Sequence, residues 1–422
     1  MGVHLPFTLI RKNASKTLRI TGLSEEIAAV TGLPWELPLA KWTEDPSLAE
    51  KRGISRHIVR LVRVTDGPDG EIYAVKETVA EFANREYRLL RQLSHLNAPC
   101  VEPIAVIEGR TDLHGVELPP ALATRFLPYS LPYRVLLSGV VTAYDVMTMA
   151  NALALLLVRL HLLGFWWGDC SLSNVLFRRD ADGFAAYLVD AETGELQPAL
   201  SDGQREHDLE IAHFNVAAEL EDLALSGVLY PGMDPIRASD GVMKRYRRLW
   251  TALKEPQLLD PKDRHAVERA MRQLQDLGFA VEEVSVSLDG ENHALRFQPK
   301  LVAAGYHQQR LHVLMGLETE ELQAKRLIAS FDRYRTREGR ASEPIEITAQ
   351  RWLAEIFHPI IALVPLELQG RIEPAQLFHE VLEHRWYLSE KAGHDVGLIF
   401  AARSYIADVL PFRRDSVGEL RA

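Results

Sequence analysis

The sequence predicts an α+β protein whose first half alternates β-rich hairpins with helices and whose second half is mostly helical. Three observations carry this. HIVRLVRV (57–64) and EIYAVKE (71–77) flank the turn DGPDG, the pattern of a hairpin. A long apolar helix from about 143 to 163 runs into a polar turn and a second hairpin, NVLFRR–DADG–AAYLVD. Beyond residue 230 the periodicity is helical, apart from a small hairpin, VEEVSVSL–DGEN–HALRFQ (281–298).

In chain order, residues 1–50 read as an irregular N-terminal extension packing on a neighbouring domain. They carry Pro34, Pro38 and Pro46 and the exposed-looking Trp35 and Trp42. After the first hairpin, residues 80–96 are helical, with Phe82, Leu89, Leu90 and Leu93 at the right spacing. VEPIAVIE and ELPPALATRFL are two further strands, the second leading into the Pro-rich LPYSLPY. Residues 203–226 return to helix. Pro231, Pro235, Pro256 and Pro261 place the last domain boundary between 227 and 265, giving a domain over 51–230 and another over 231–422.

Composition excludes several classes. With 48 Lys and Arg against 58 Asp and Glu the net charge is −10, which disfavours broad nucleic-acid binding. Two cysteines, Cys100 and Cys170, build neither a disulfide framework nor a four-cysteine zinc site, and fit a reducing, cytoplasmic setting. The first residues lack the layout of a secretory signal. The longest apolar run, 151–167, carries Arg159 and His161 and reads as a buried core helix, with no transmembrane segment expected.

The chemistry concentrates in GFWWGDCSLSNVLF (164–177). Asp169 and Asn174 end one short loop, and the hairpin after it folds Asp190 back beside them. Upstream, Lys76 ends the β-run AVK and Glu86 lies on the next helix. Phosphoryl transfer needs such a set: a lysine for the α/β-phosphates, a carboxylate anchoring it, an amide and a carboxylate oxygen for Mg²⁺, and a second carboxylate for the attacking hydroxyl.

With these residues in this order, the sequence resembles the atypical protein-kinase-like superfamily: RIO-type kinases, aminoglycoside-phosphotransferase-like enzymes and lipopolysaccharide (Kdo/WaaP-like) kinases. AVK resembles the strand-lysine motif, GDCSLSN the catalytic loop and LVDAET the metal-binding turn. The resemblance implies two lobes, a small one over about 51–127 and a large one over about 128–230. It also implies ATP and Mg²⁺ as cofactors, with Lys76 on the phosphates, Glu86 its anchor, Asn174 and Asp190 on the metal and Asp169 the base. The connector at 126–132, beginning with Phe126 and Leu127, would meet adenine through its backbone. The C-terminal part, including EVLEHRWYLSE, resembles a bacterial domain family of unknown function found joined to kinase-like domains. No G-x-G-x-x-G precedes Lys76; backbone amides of Ser55 and Arg56, with the Arg56 or His57 side chain, would serve the phosphates instead. Glu81 is the alternative anchor if the helix register differs, and no activation segment ending in Ala-Pro-Glu is present.

The function expected is phosphoryl transfer to a hydroxyl of a small molecule, sugar or lipid-linked glycan. The alternative is a pseudokinase or nucleotide-sensing scaffold holding a protein or nucleic-acid partner through its C-terminal domain. Cys170 reads as a buried spacer rather than a nucleophile, Trp166 and Trp167 as core and pocket wall. Asn215 and Glu219 share a helix face and either touch substrate or pair on the surface. The basic runs 243–254 and 324–340 read as solvated faces of amphipathic helices rather than a nucleic-acid surface.

Overall fold

The computed structural model describes residues 7–13, 16–43, 57–64, 71–137, 142–229, 232–255, 257–260, 263, 265–277, 279–289, 294–340 and 342–413. Ser55 and Arg56 lie outside the described residues. The chain divides into two compact units, one of Met1–Arg178 with Ala186–Met243, the other of Arg179–Ala185 with Lys244–Gly418. The division falls after Met243, and a short excursion at 179–185 counts with the second unit.

The first unit is built on a six-stranded antiparallel sheet. Its strands are β1 (Phe7–Asn13), β2 (Lys16–Gly22), β3 (Val59–Arg63), β4 (Ile72–Glu77), β5 (Pro103–Glu108) and β6 (Ala121–Arg125), in the order β1-β2-β5-β6-β4-β3. Two expectations are corrected here. Residues 7–22 are not irregular: β2 pairs with β5, Ile20 opposite Ile107. Trp35 and Trp42 are not exposed; they sit edge to face at 5.1 Å in the sheet's apolar core, beside the helix α1 (Ser24–Thr31). What pins this segment is the fully buried Arg110. Its guanidinium donates to Glu77 Oε1 (2.8 Å) and to the carbonyls of Leu37 (2.7 Å), Trp35 (3.3 Å) and Pro119 (2.8 Å), and Glu77 also accepts from Leu39 N (3.0 Å). Charge and donors are satisfied together, the condition under which a buried ion pair is tolerated.

Helix α2 (Ala80–His95) follows β4 and buries Leu89, Leu90 and Leu93, whereas Phe82 turns outward. Helix α3 (Ala143–Leu162) opens on a Thr142–Asp145 capping box. It is long and apolar enough to cross a bilayer by length and composition alone. Its most apolar window is 56% buried, and Leu153, Ala154, Leu157, Val158 and Leu160 are fully enclosed, which makes it a core helix. Short strands β7 (Ser130–Pro132) and β8 (Phe165–Trp166) precede β9 (Val175–Asp180) and β10 (Gly183–Leu188); β7, β9 and β10 form one small sheet. The end of β10 is stitched to the segment after α2 by Val101 N to Leu188 O (3.0 Å) and Leu188 N to Pro99 O (2.9 Å). Helix α4 (Asp202–Leu225) completes the large lobe.

The second unit is mostly helical. Its described helices include α5 (Pro235–Lys254, which begins in the first unit), α6 (Ala266–Asp276), α7 (Tyr306–Met315), α8 (Glu321–Arg337), α9 (Ile345–Trp352), α10 (Pro374–Ala392) and α11 (Leu398–Asp408). The hairpin Phe279–Asp289 with Ala294–Ala304 is longer than expected and gains a third strand, Gln257–Leu259. Trp352, Phe357, Phe378 and Phe331 centre the helical core. The basic runs behave as amphipathic helices: Tyr246, Leu249 and Leu253 of α5, and Leu327, Phe331 and Tyr334 of α8, are buried.

Candidate functional site

In β4, Lys76 lies between Val59 of β3 and Leu122 of β6, so its side chain leaves a sheet fixed on both edges. Its Nζ is 2.6 Å from Glu86 Oε2, 3.0 Å from Asp190 Oδ2 and 3.4 Å from Glu192 Oε2. Glu86, on the inner face of α2, is 1% exposed, and Glu81 is at the surface. The register therefore selects Glu86. Burial opposes the Lys76 charge, but the three carboxylates outweigh it and hold the ammonium above its usual range. Burial, then Asp190, pushes Glu86 up to about 8, against the pull of Lys76.

The loop bearing Asp169 is shaped from beneath by Asp208 of α4, fully buried. Asp208 accepts from Trp167 N (2.8 Å) and Gly168 N (2.8 Å), and lies 3.0 Å from His161 Nε2. Gly168 has φ +75°, and a Cβ there would come within 2.7 Å of the Trp166 ring. Glycine at this position is thus demanded by both backbone and space. Trp167 is buried and its Nε1 donates to the Asp190 carbonyl (2.9 Å), tying the loop to the turn after β10.

Asn174 lines the same cleft as Lys76 and Asp190, and its Nδ2 donates to Asp169 O (2.9 Å) and Asp169 Oδ2 (3.4 Å). Asn215 and Glu219 of α4 turn out to hold this loop. Asn215 Nδ2 donates to Asp169 Oδ1 (3.2 Å) and Cys170 O (3.2 Å), while Glu219 accepts from Leu172 N (2.6 Å), Ser173 N (3.1 Å) and the Ser173 hydroxyl. Cys170 is fully buried, and burial pushes its thiol well above the usual range, as befits a spacer.

The cleft is walled by apolar side chains, Val59, Leu61, Ala74 and Leu122 from the small lobe and Leu176 and Val189 from the large one. Phe126 and Leu127 both line it. The Phe126 amide, however, donates to Ile72 O (2.9 Å), so that N–H is engaged in the sheet and is not the group that would meet adenine. His57 faces carboxylate rather than open cleft, its Nε2 3.6 Å from Glu192 Oε1.

Glu192 and Asp208 are the contributors that sequence reasoning passed over. For Glu192 a signal existed, an acid two residues past Asp190, whose backbone N–H donates to Asp190 Oδ1 (3.1 Å). Glu86, Asp190 and Glu192 have oxygens all within 4.8 Å of one another. Three carboxylates around one lysine leave negative charge uncompensated, and an all-oxygen set is what a hard divalent cation takes. The residues fit Mg²⁺.

Compared with known proteins, residues 73–225 match the lipopolysaccharide kinase (Kdo/WaaP) family and residues 248–410 match a domain of unknown function (DUF4032). The chain thus carries a kinase-like domain followed by one to which no activity is attached. Among solved structures, "WaaP in complex with acyl carrier protein" matches with 17% identity and a TM-score of 0.32, over 55% of this chain and 92% of that one. No curated protein matches.

Proposed function

We propose that the first unit is an ATP- and Mg²⁺-dependent phosphotransferase acting on a hydroxyl of a small molecule, sugar or lipid-linked glycan. The observation that supports it most is the convergence of Lys76, Glu86, Asn174 and Asp190 on one apolar-walled cleft, with Asn174 bridging to Asp169. Lys76, kept charged by its carboxylates, binds the nucleotide's phosphates. Asp190 and the Asn174 amide oxygen, with Glu192 beside them, hold Mg²⁺, which when bound neutralises charge on the phosphates. Asp169, oriented by Asn174 and Asn215, takes the proton of the attacking hydroxyl. The apolar walls exclude water and receive the base. The acceptor class comes from the match to the Kdo/WaaP family.

The test is turnover of labelled ATP with sugar and glycolipid acceptors. Asp169→Ala lowers turnover about 10²–10⁴-fold, the range for loss of a positioned base, and leaves Mg-ATP binding intact. Equal turnover in Asp169→Ala and wild type contradicts the assignment.

A further inference from the structure

Among the described residues, a second group of ligating side chains stands in the other unit: Asp182, His379 and Glu383, with one ligand atom of each within 4.8 Å of the others. None belongs to the cleft just described. His379 and Glu383 are one turn apart on α10, so they present to the same side. Asp182 comes from the turn between β9 and β10. That turn is held against α10 by Gln376, whose Oε1 accepts from Ala181 N (2.9 Å) and whose Nε2 donates to Ala181 O (3.1 Å). Ala181 sits at φ +51°, a left-handed conformation that a side chain disfavours, so the double clamp fixes where Asp182 points.

His379 is the second, independent observation. It is 97% buried at 3% exposure, and its Nε2 has no hydrogen-bond partner. That atom lies 2.8 Å from Asp182 Oδ1 and 3.5 Å from Glu383 Oε2, without hydrogen-bond geometry to either. Burial pulls the His379 pKa down, against the upward pull of Asp182. Three ligating atoms within 4.8 Å of one another, one of them on a buried imidazole without a hydrogen-bond partner, have the make-up of a coordination site.

We propose that Asp182, His379 and Glu383 form a zinc-binding site in the C-terminal unit. Zinc bonded at about 2.0–2.2 Å in tetrahedral geometry sets its ligands about 3.4 Å apart, so the 3.5 Å from His379 to Glu383 fits as it stands and the 2.8 Å from His379 to Asp182 opens when the ion enters. One imidazole nitrogen with two carboxylates suits zinc better than magnesium or calcium, which take oxygen. Arg326 contacts the other Asp182 oxygen, Oδ2, at 2.8 Å and so turns Oδ1 toward His379, the outer-shell part that ligating carboxylates commonly have. Three protein ligands leave a fourth position. His379 and Glu383 also line a cleft with Arg333, Trp386 and Ser389, from which water or a substrate atom would fill it.

The experiment is a calorimetric titration of Zn²⁺, against a competing chelator, into the full chain stripped with EDTA, without nucleotide. Wild type should show a zinc site that weakens at least about tenfold in His379→Gln and in Glu383→Gln, and that persists in Asp190→Asn. X-ray absorption of the zinc-loaded protein should show nitrogen and oxygen ligands including imidazole. The Glu383 side chain is 56% exposed, so Glu383→Gln should fold, and melting curves check both variants. Absence of zinc binding in wild type, undiminished affinity in a folded Glu383→Gln, or loss that follows Asp190→Asn instead would each overturn the proposal. None of these outcomes tests phosphoryl transfer itself, because the readout involves no nucleotide.

Discussion

Among the described residues stand two clusters of three ligating side chains, and they are organised differently. Glu86, Asp190 and Glu192 surround a lysine, and every one of them contacts its ammonium. Asp182 and Glu383 surround a buried histidine, and the cation Arg326 touches Asp182 on its far oxygen. In the first cluster electrostatic compensation is built in, and a nucleotide-borne cation would add to it. In the second, burial and then Asp182 push Glu383 up to about 7, the response of a carboxylate facing another without a cation between them. The same residue types thus serve a site that is partly neutralised at rest and one that asks for a metal.

The largest effect that separates the two comes from removing the central residue. Lys76→Met leaves buried carboxylates without their cation and should cost about 3–5 kcal/mol in denaturant unfolding of the first unit. His379→Gln removes no permanent cation and should cost clearly less; equal losses would erase the distinction. Next is Asp208→Ala. It orphans the Trp167 and Gly168 amides, and at about 1–3 kcal/mol for each unsatisfied group should lower the melting temperature and blunt turnover.

The two left-handed residues sharpen the contrast further. Gly168→Ala places a methyl against the Trp166 ring at positive φ and should cost at least about 1–2 kcal/mol. Ala181→Gly relieves the same kind of strain, but it deletes a buried methyl worth about 0.8 kcal/mol, so the net change should be near zero. Thermal melts of both variants check the pair. Smallest of all is the thiol prediction: buried Cys170 should resist alkylation at pH 8 in native protein and react on unfolding. Native labelling of Cys170 would mean the loop opens.

Two pieces of the first site were legible because their spacing is local, whereas Asp190 took its role only through the motif order that the kinase-like resemblance supplies. A lysine ending β4 and a glutamate on the next helix must approach, and Asp169 and Asn174 bound one loop. Asp208 was not legible, since only folding brings α4 beneath a loop about 40 residues earlier. The N-terminal strands were missed for the same reason. β2 pairs with its neighbour β1 but is anchored to the sheet through β5, and the Trp35–Trp42 segment owes its burial to Arg110, far along the chain. Asp182 lay inside a turn, DADG, that any hairpin would use, and its partners on α10 lie far downstream. Side chains whose meaning depends on a distant helix carry no local signature.

The account stands most directly on calorimetric titration of ATP into wild type and Asp190→Ala, with and without Mg²⁺. It predicts saturable, Mg²⁺-dependent binding at one site in wild type and loss of that dependence in the variant. Binding indifferent to Mg²⁺ or to Asp190, or no binding at all, would contradict it.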